Sequence, residues 1–319
     1  MKIGTRASAL ALWQANHVAD RLRAVGYDPE IVPFSTKGDR ILDVPLAEIG
    51  DKGLFTQELD RALLDGAIHL AVHSLKDLPT TLPSGLVLAA VTEREEPWDA
   101  FVAHPGFGGA LADLPEGATL ATSSLRRRAQ LKAWRPDLHI VPVRGNVPTR
   151  LAKLDASGTP GEGGWHGAIL AAAGLIRLGR EDRIRERIAP DVTLPAVGQG
   201  ALGIVCAEGD GRARAVVADI LGDAATTAAT TAERALLRTL EGGCQVPVAA
   251  WGRIEAGTLH LDGSVAALDG SRVVRDRISG EASDAEALGV ALAARLREAG
   301  AGEILAAIRA SSPPDVRLT

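Results

Sequence analysis

Cysteine is almost absent from this chain, with two residues, Cys206 and Cys244, in 319. Two thiols cannot make a disulfide framework or a zinc ribbon, so stapling of that kind is excluded. Aromatic side chains are scarce too, ten in all (5 Trp, 4 Phe, 1 Tyr), so the cores must be built from Leu, Val, Ile and Ala. No apolar run approaches the roughly 18 residues needed to span a bilayer. An excess of one charge sign is also lacking. With 35 basic and 40 acidic groups the net charge is −5, which gives no global electrostatic case for nucleic-acid binding. Walker and dinucleotide glycine motifs are missing. So is a Gly-x-Ser-x-Gly elbow, and His73, Ser74 and Asp77 imitate a hydrolase triad in composition alone. His69 and His73 have metal-like spacing without a third ligand, so no metal site is expected. Met1–Gln14 carries Lys2 and Arg6 but neither an apolar block nor a cleavage site, and the expectation is a mature, cytoplasmic protein.

What is present is length and arginine. At about 150 residues per domain the chain makes two domains, with three possible, and at this size large cores need no staples. The basic residues are 29 Arg and 6 Lys. A GC-rich genome explains that total together with the abundant Ala. Arginine also suits carboxylate recognition, because its planar fork binds both oxygens, and only the placement of particular arginines can argue for that use.

Period changes along the chain place the elements. Lys2–Thr5, Glu30–Ser35, Ile68–Val72 and Leu86–Val91 read as strands, with helices after Ser8 and over Leu54–Leu64. The pattern restarts with strands at Asp99–Ala103, Thr119–Ala121, His139–Val143 and Ala168–Ala171 and helices at Ser124–Trp134 and Val147–Ala156. Ser157–Gly167 is a glycine-rich loop, Leu194–Gly200 a break, and Ala201–Cys206 one more strand. Helices follow at about 210–221 and 226–241. Strands near 247–255, 258–267 and 271–279 then form a three-stranded meander, before helices at about 283–298 and 301–310. Strands alternating with helices give an α/β fold with mostly parallel sheets, closed by a small α+β domain.

Four strand ends carry hydroxyls and cations: Thr5-Arg6-Ala7-Ser8, His73-Ser-Leu-Lys-Asp77, Thr122-Ser-Ser-Leu-Arg-Arg-Arg128 and Arg144-Gly-Asn-Val-Pro-Thr-Arg150. One such junction is an ordinary helix cap with a solvated Arg. Four together describe an anion site, since ligands of open α/β sheets sit at strand C-termini against helix N-termini. Cys206 ends an apolar strand and reads as a buried hydrophobe. Cys244 follows Gly242-Gly243 on a loop, and spacing supports a harmless loop thiol and a reactive cleft thiol equally.

Taken together these residues resemble the porphobilinogen deaminase (hydroxymethylbilane synthase) family from end to end. The likeness runs through Thr5-Arg-Ala-Ser-Ala-Leu-Ala11, Gly50-Asp-Lys-Gly-Leu-Phe55, His73–Asp77, Thr122–Arg127, Arg144-Gly-Asn-Val, Leu194-Pro-Ala-Val-Gly-Gln-Gly200, and Glu233-Arg234 leading to Gly242-Gly-Cys-Gln-Val-Pro247. Gln57 departs from the family's frequent lysine, and the loop Ser157–Gly167 is longer than usual.

The resemblance implies a monomeric transferase of tetrapyrrole biosynthesis. It condenses four porphobilinogen molecules head to tail, with loss of ammonia, on a dipyrromethane cofactor held by a thioether to Cys244. It implies two periplasmic-binding-protein-like lobes around a cleft plus a small C-terminal α+β domain: 1–97 with 199–217, 98–198, and 218–319. Asp77, Lys76 and Arg6 would be catalytic. Cys244, Lys76, Asp77, Ser8, Thr122, Ser124, Arg126, Arg127, Arg144 and Arg150 would hold the cofactor. Arg6, Arg144, Arg150, Arg177, Lys52 and Phe55 would bind substrate, the last two from a covering loop. No nucleic acid, membrane or obligate protein partner is implied. Two other readings stand beside this one. A non-catalytic anion-binding protein with the same lobes lacks a secretion signal, and a thiol hydrolase lacks a base near Cys244 in sequence.

Overall fold

The structure is a computed structural model that describes residues 1–36, 56–240 and 246–311. The chain opens with β1 (Lys2–Arg6) and α1 (Ala9–Arg23). Ser8 starts the helix, its hydroxyl accepting the Ala11 N–H. Ala11, Ala15, Val18, Ala19 and Leu22 are its buried stripe, at the i, i+3, i+4 spacing of a helix packed on a sheet. β2 (Glu30–Phe34), α2 (Gln57–Leu64), β3 (Leu70–Ser74) and β4 (Leu86–Val91) follow.

The chain then crosses to a second sheet through β5 (Asp99–Ala103), β6 (Thr119–Ala121), α3 (Leu125–Trp134), β7 (His139–Val141), α4 (Val147–Asp155), β8 (Gly167–Ala171), α5 (Ala172–Arg177) and β9 (Glu186–Arg187). It returns to the first sheet as β10 (Leu202–Ala207), and α6 (Gly211–Leu221) packs there. The last part is α7 (Ala224–Thr239), the meander β11 (Val248–Glu255), β12 (Thr258–Ala266) and β13 (Val273–Glu281), then α8 (Ala285–Leu296) and α9 (Gly302–Ser311).

The two five-stranded sheets share one plan. Their orders are β2-β1-β3-β10-β4 and β7-β6-β8-β5-β9. In each, four strands run in one direction and the fourth in the order is antiparallel to both its neighbours, and that strand is the one that has just crossed from the other sheet. The sheets are mostly parallel, as expected, with one reversed strand in each. The sequence does not tell the direction of β10, because its partners β3 and β4 lie more than a hundred residues earlier. The same pairing extends β3 to Ser74, opposite Leu202, where the apolar run alone ends at Val72. At the C-terminus, the helices expected at about 283–298 and 301–310 are joined by a π-turn, Arg297–Ala301, in which Gly300 takes φ +103°.

Separate apolar cores underlie the three sheets. Cys206 is fully buried in the first, as a hydrophobe at that strand position should be. Among the described residues, no helix is long and apolar enough to cross a membrane.

Candidate active site

Both crossings between the sheets are tied to the third unit by one carboxylate. Glu233 on α7 is fully buried. Its Oε1 accepts from Arg94 Nη1 (2.6 Å) and the Gly252 N–H (2.7 Å), and its Oε2 accepts from the Gly198 N–H (2.6 Å). A buried charge survives only with such partners. The turn after it needs glycine: at Gly200, φ is +94° and a Cβ would stand 2.2 Å from the Glu95 carbonyl oxygen.

A second buried carboxylate, Asp99 at the start of β5, gathers the helix α3 arginines. Arg126 donates from Nη1 to Oδ2 (2.8 Å) and from Nη2 to Oδ1 (3.1 Å), and Arg127 donates from Nη2 (2.7 Å) and Nε (2.9 Å) to Oδ1. Burial works to raise the Asp99 pKa, but the two guanidiniums override it and hold the carboxyl well below the usual range. Burial lowers the Arg126 pKa, against the pull of Asp99.

Two neighbouring cavities lie at the strand ends, the first lined from both sheets' units and the second from the first alone. One is lined by Lys76, Arg127, Arg150 and Arg177, with Gln14 and Gln199 between them. The other is lined by Arg6, Ser8, His73 and Asp77. Gln14 lies on both, and its Nε2 donates to Ser74 Oγ at 2.8 Å. β3 carries His73, and the short 3-10 turn Leu75–Asp77 that follows it brings Lys76 to the first cavity and exposed Asp77 to the second.

The first cavity is strongly cationic, with no acidic side chain among its lining residues. Burial pulls the Lys76 ammonium down to about 8; Asp77 and Asp99 oppose this, and Arg127 and Arg126 reinforce it. Burial likewise brings Arg150 to about 10, with Arg127 and Arg144 pushing the same way, and Arg177 to about 10. Among the described residues, neither Arg150 nor Arg177 has a carboxylate partner. Arg150 Nε donates to the Gly145 carbonyl (2.8 Å), and Arg177 Nη2 donates to the Gly200 carbonyl (2.5 Å) while its guanidinium lies 5.7 Å from the Trp13 ring centre. Desolvated cations gathered on a cavity with no carboxylate in its lining make a site that gains from a polycarboxylate.

The expected site residues divide into three sets. Arg6, Ser8 and Asp77 meet at one cavity and Lys76, Arg127, Arg150 and Arg177 at the other. Thr122, Ser124 and Arg126 stand behind them. Thr122 Oγ1 accepts the Ser124 N–H (3.2 Å), Ser124 Oγ caps α3 through the Arg127 N–H (3.4 Å), and Arg126 lines neither cavity. Arg144 also lines neither, but stands close enough to lower the Arg150 pKa. Lys52, Phe55 and Cys244 lie outside the described residues. Sequence reading missed Gln14, His73 and Gln199 as lining residues and Asp99 as the arginine anchor. Gln199 had a signal in the Leu194–Gly200 motif, whereas Asp99 reads as any strand residue.

Comparison with known proteins agrees with this chemistry. Residues 1–215 match the family model "Porphobilinogen deaminase, dipyromethane cofactor binding domain", and residues 227–298 match "Porphobilinogen deaminase, C-terminal domain". The porphobilinogen deaminase of Desulforudis audaxviator is 55% identical over 312 residues, covering 97% of this chain and 98% of the relative. That of Moorella thermoacetica is 52% identical over 314 residues, covering 98% and 97%. Among solved structures, a periplasmic substrate-binding protein of an ABC transporter from Coxiella burnetii is similar at 16% identity and a TM-score of 0.42, covering 69% of this chain and 91% of that one. With both family domains matched in order and relatives above 50% identity over nearly its whole length, the chain belongs to the porphobilinogen deaminase family.

Proposed function

We propose that the two cavities are the working cleft of a hydroxymethylbilane-forming transferase, with Cys244 as the attachment point of its dipyrromethane cofactor. The observation that carries this reading is the acid-free cluster of Lys76, Arg127, Arg150 and Arg177 beside the exposed carboxylate of Asp77. Each pyrrole of the cofactor and substrate bears an acetate and a propionate, so the donor set fits the group. When bound, the cofactor supplies the terminal pyrrole carbon on which the chain is extended.

The protein's own side chains account for the rest. Lys76, Arg127 and Arg150 hold carboxylates on the side of the cofactor, helped by Arg144. Arg126, Thr122 and Ser124 fix the helix end from which Arg127 reaches in. Arg6 and Arg177 orient porphobilinogen, and Ser8, on the cavity with Arg6, adds a hydroxyl to the cofactor's side. As ammonia leaves its aminomethyl carbon with the C–N electron pair, positive charge spreads over the substrate's pyrrole. The fixed anion of Asp77 opposes that charge where it develops. Lys52 and Phe55, outside the described residues, are assigned to substrate binding by the family resemblance.

In the same reading the protein is a cytoplasmic monomer that needs no nucleic acid or protein partner. It divides into 1–97 with 199 onward, 98–198, and the C-terminal unit. The packing of α6 through Leu221 on the first core supports moving the last boundary from 217 to just after that helix.

The test is mass spectrometry of the purified protein. A two-pyrrole adduct on Cys244 and none on Cys206 is expected, because Cys206 is fully buried and burial raises its thiol pKa. An unmodified Cys244 in active enzyme, or full activity in Cys244→Ala, would overturn the reading.

A further inference from the structure

We propose that Gln199 is a positioning residue, an amide relay that ties the Lys76 ammonium of one lobe to the Asp99 carboxylate of the other. Gln199 is 1% exposed and sits on the returning crossover, between the two sheets. Its Nε2 donates to the Pro97 carbonyl (2.6 Å) and to Asp99 Oδ1 (2.9 Å). Both partners are acceptors only, a main-chain oxygen and an ionised carboxylate. The amide therefore cannot flip, and Oε1 must face the other way. There it accepts from Lys76 Nζ at 3.3 Å. The backbone is pinned as well: the Gln199 carbonyl accepts from Arg94 Nε (2.8 Å) and the Gly200 carbonyl from Arg177.

A lysine tail has four rotatable bonds and a strong tendency to seek water. Here a neutral acceptor, oriented by a carboxylate of the opposite lobe, is one of the groups that hold it at the cationic cavity. This link between Lys76 and Asp99 thus depends on the two strand ends standing at their present separation. Asp99 start and Lys76 end of the relay belong to different sheets, so opening the cleft would break it before it moved either arginine of α3 away from Asp99. The relay rests on the reading of Lys76 as a ligand-handling group, but its test does not require turnover.

Competitive trace acetylation of the holoenzyme, with Lys76 followed by peptide mass spectrometry across about pH 6–11, reads the ammonium directly. Asp77, Asp99, Arg126 and Arg127 act on it, Arg150 and Arg177 share its cavity, and none of these is altered in the variants. Gln199→Glu places an anion at the relay and is expected to raise the midpoint by on the order of one to three pH units. Gln199→Leu removes the acceptor and is expected to lower it, since a hydrogen bond to the charged form favours that form. Shifts of opposite sign from one position are a signature that general loosening of the fold does not produce. Gln199→Leu alone decides the matter if the glutamate variant does not fold. A midpoint that stays put or rises in Gln199→Leu, or moves the same way in both variants, overturns the relay. Normal turnover in Lys76→Ala would instead overturn the functional reading of Lys76 and leave the relay standing.

Discussion

Asp99 and Arg127 form a fully buried ion pair in which both Nε and Nη2 of the guanidinium converge on one carboxylate oxygen, Oδ1, at 2.9 and 2.7 Å. Arg127 also donates from Nη1 to the Ile169 carbonyl of β8 at 2.9 Å and lines the cationic cavity. One arginine is thus anchored from behind and presented in front. Asp99 sets the position of the cation cluster without lining it.

Replacing that anchor should unfold the site before it alters any chemistry. Asp99→Asn leaves Arg126 and Arg127 buried with an uncharged partner, a loss of about 3–5 kcal/mol for a broken buried pair. Denaturant unfolding of variant and parent should show this as a lowered midpoint. Equal stability would mean that the guanidiniums find water or another acceptor.

The opposite outcome is expected for Arg150 and Arg177. Both are desolvated cations without a carboxylate partner among the described residues. Arg150→Gln should therefore keep or slightly raise the melting temperature of the apoprotein while lowering kcat/KM on the order of tenfold or more, as loss of charged hydrogen bonds to carboxylates implies. Melting curves beside steady-state kinetics decide it. Lost stability with normal kinetics would make Arg150 structural.

Asp77 should separate in the same way. It is exposed, so its carboxylate has little packing to lose. Asp77→Asn should fold, bind porphobilinogen and turn over on the order of a hundredfold more slowly, the usual loss when a fixed group facing developing charge is removed. Near-normal turnover with a lowered melting point would return Asp77 to a turn-capping role.

His73 should give the fold an acid-sensitive limb. It is 5% exposed, its Nε2 is buried without a hydrogen-bond partner, and burial, with Arg6, lowers its pKa from 6.5 to about 4. The unfolded chain binds the proton first, so this residue leaves stability unaffected above about pH 6.5 and removes it as pH falls from there toward about 4. The penalty is of order 3 kcal/mol below both values. His73→Phe should flatten the difference between stabilities measured at about pH 7 and about pH 4.5. An unchanged slope would show that the ring finds a partner for its proton in the folded state.

Local chemistry was readable without coordinates. The α/β class follows from periods of two and 3.6 in alternation, and the helix starts from Ser8 and Ser124, because a hydroxyl at an N-cap acts on N–H groups three residues away. The cations at four strand ends also announce an anion site, since strand C-termini and helix N-termini meet at one edge of such a sheet. What the tertiary structure alone decided are the relations between distant residues. The direction of β10, the extension of β3 to Ser74, the convergence of Arg126, Arg127 and Gln199 on Asp99, and the clamp of Glu233 on both crossovers all join residues from 19 to 139 positions apart. Nothing in the local pattern distinguishes Asp99 from another strand residue, and the Leu194–Gly200 motif marks Gln199 without showing what its amide meets. Their roles come from burial, which makes each unpaired charge and amide costly enough that the fold must bring its partner to it.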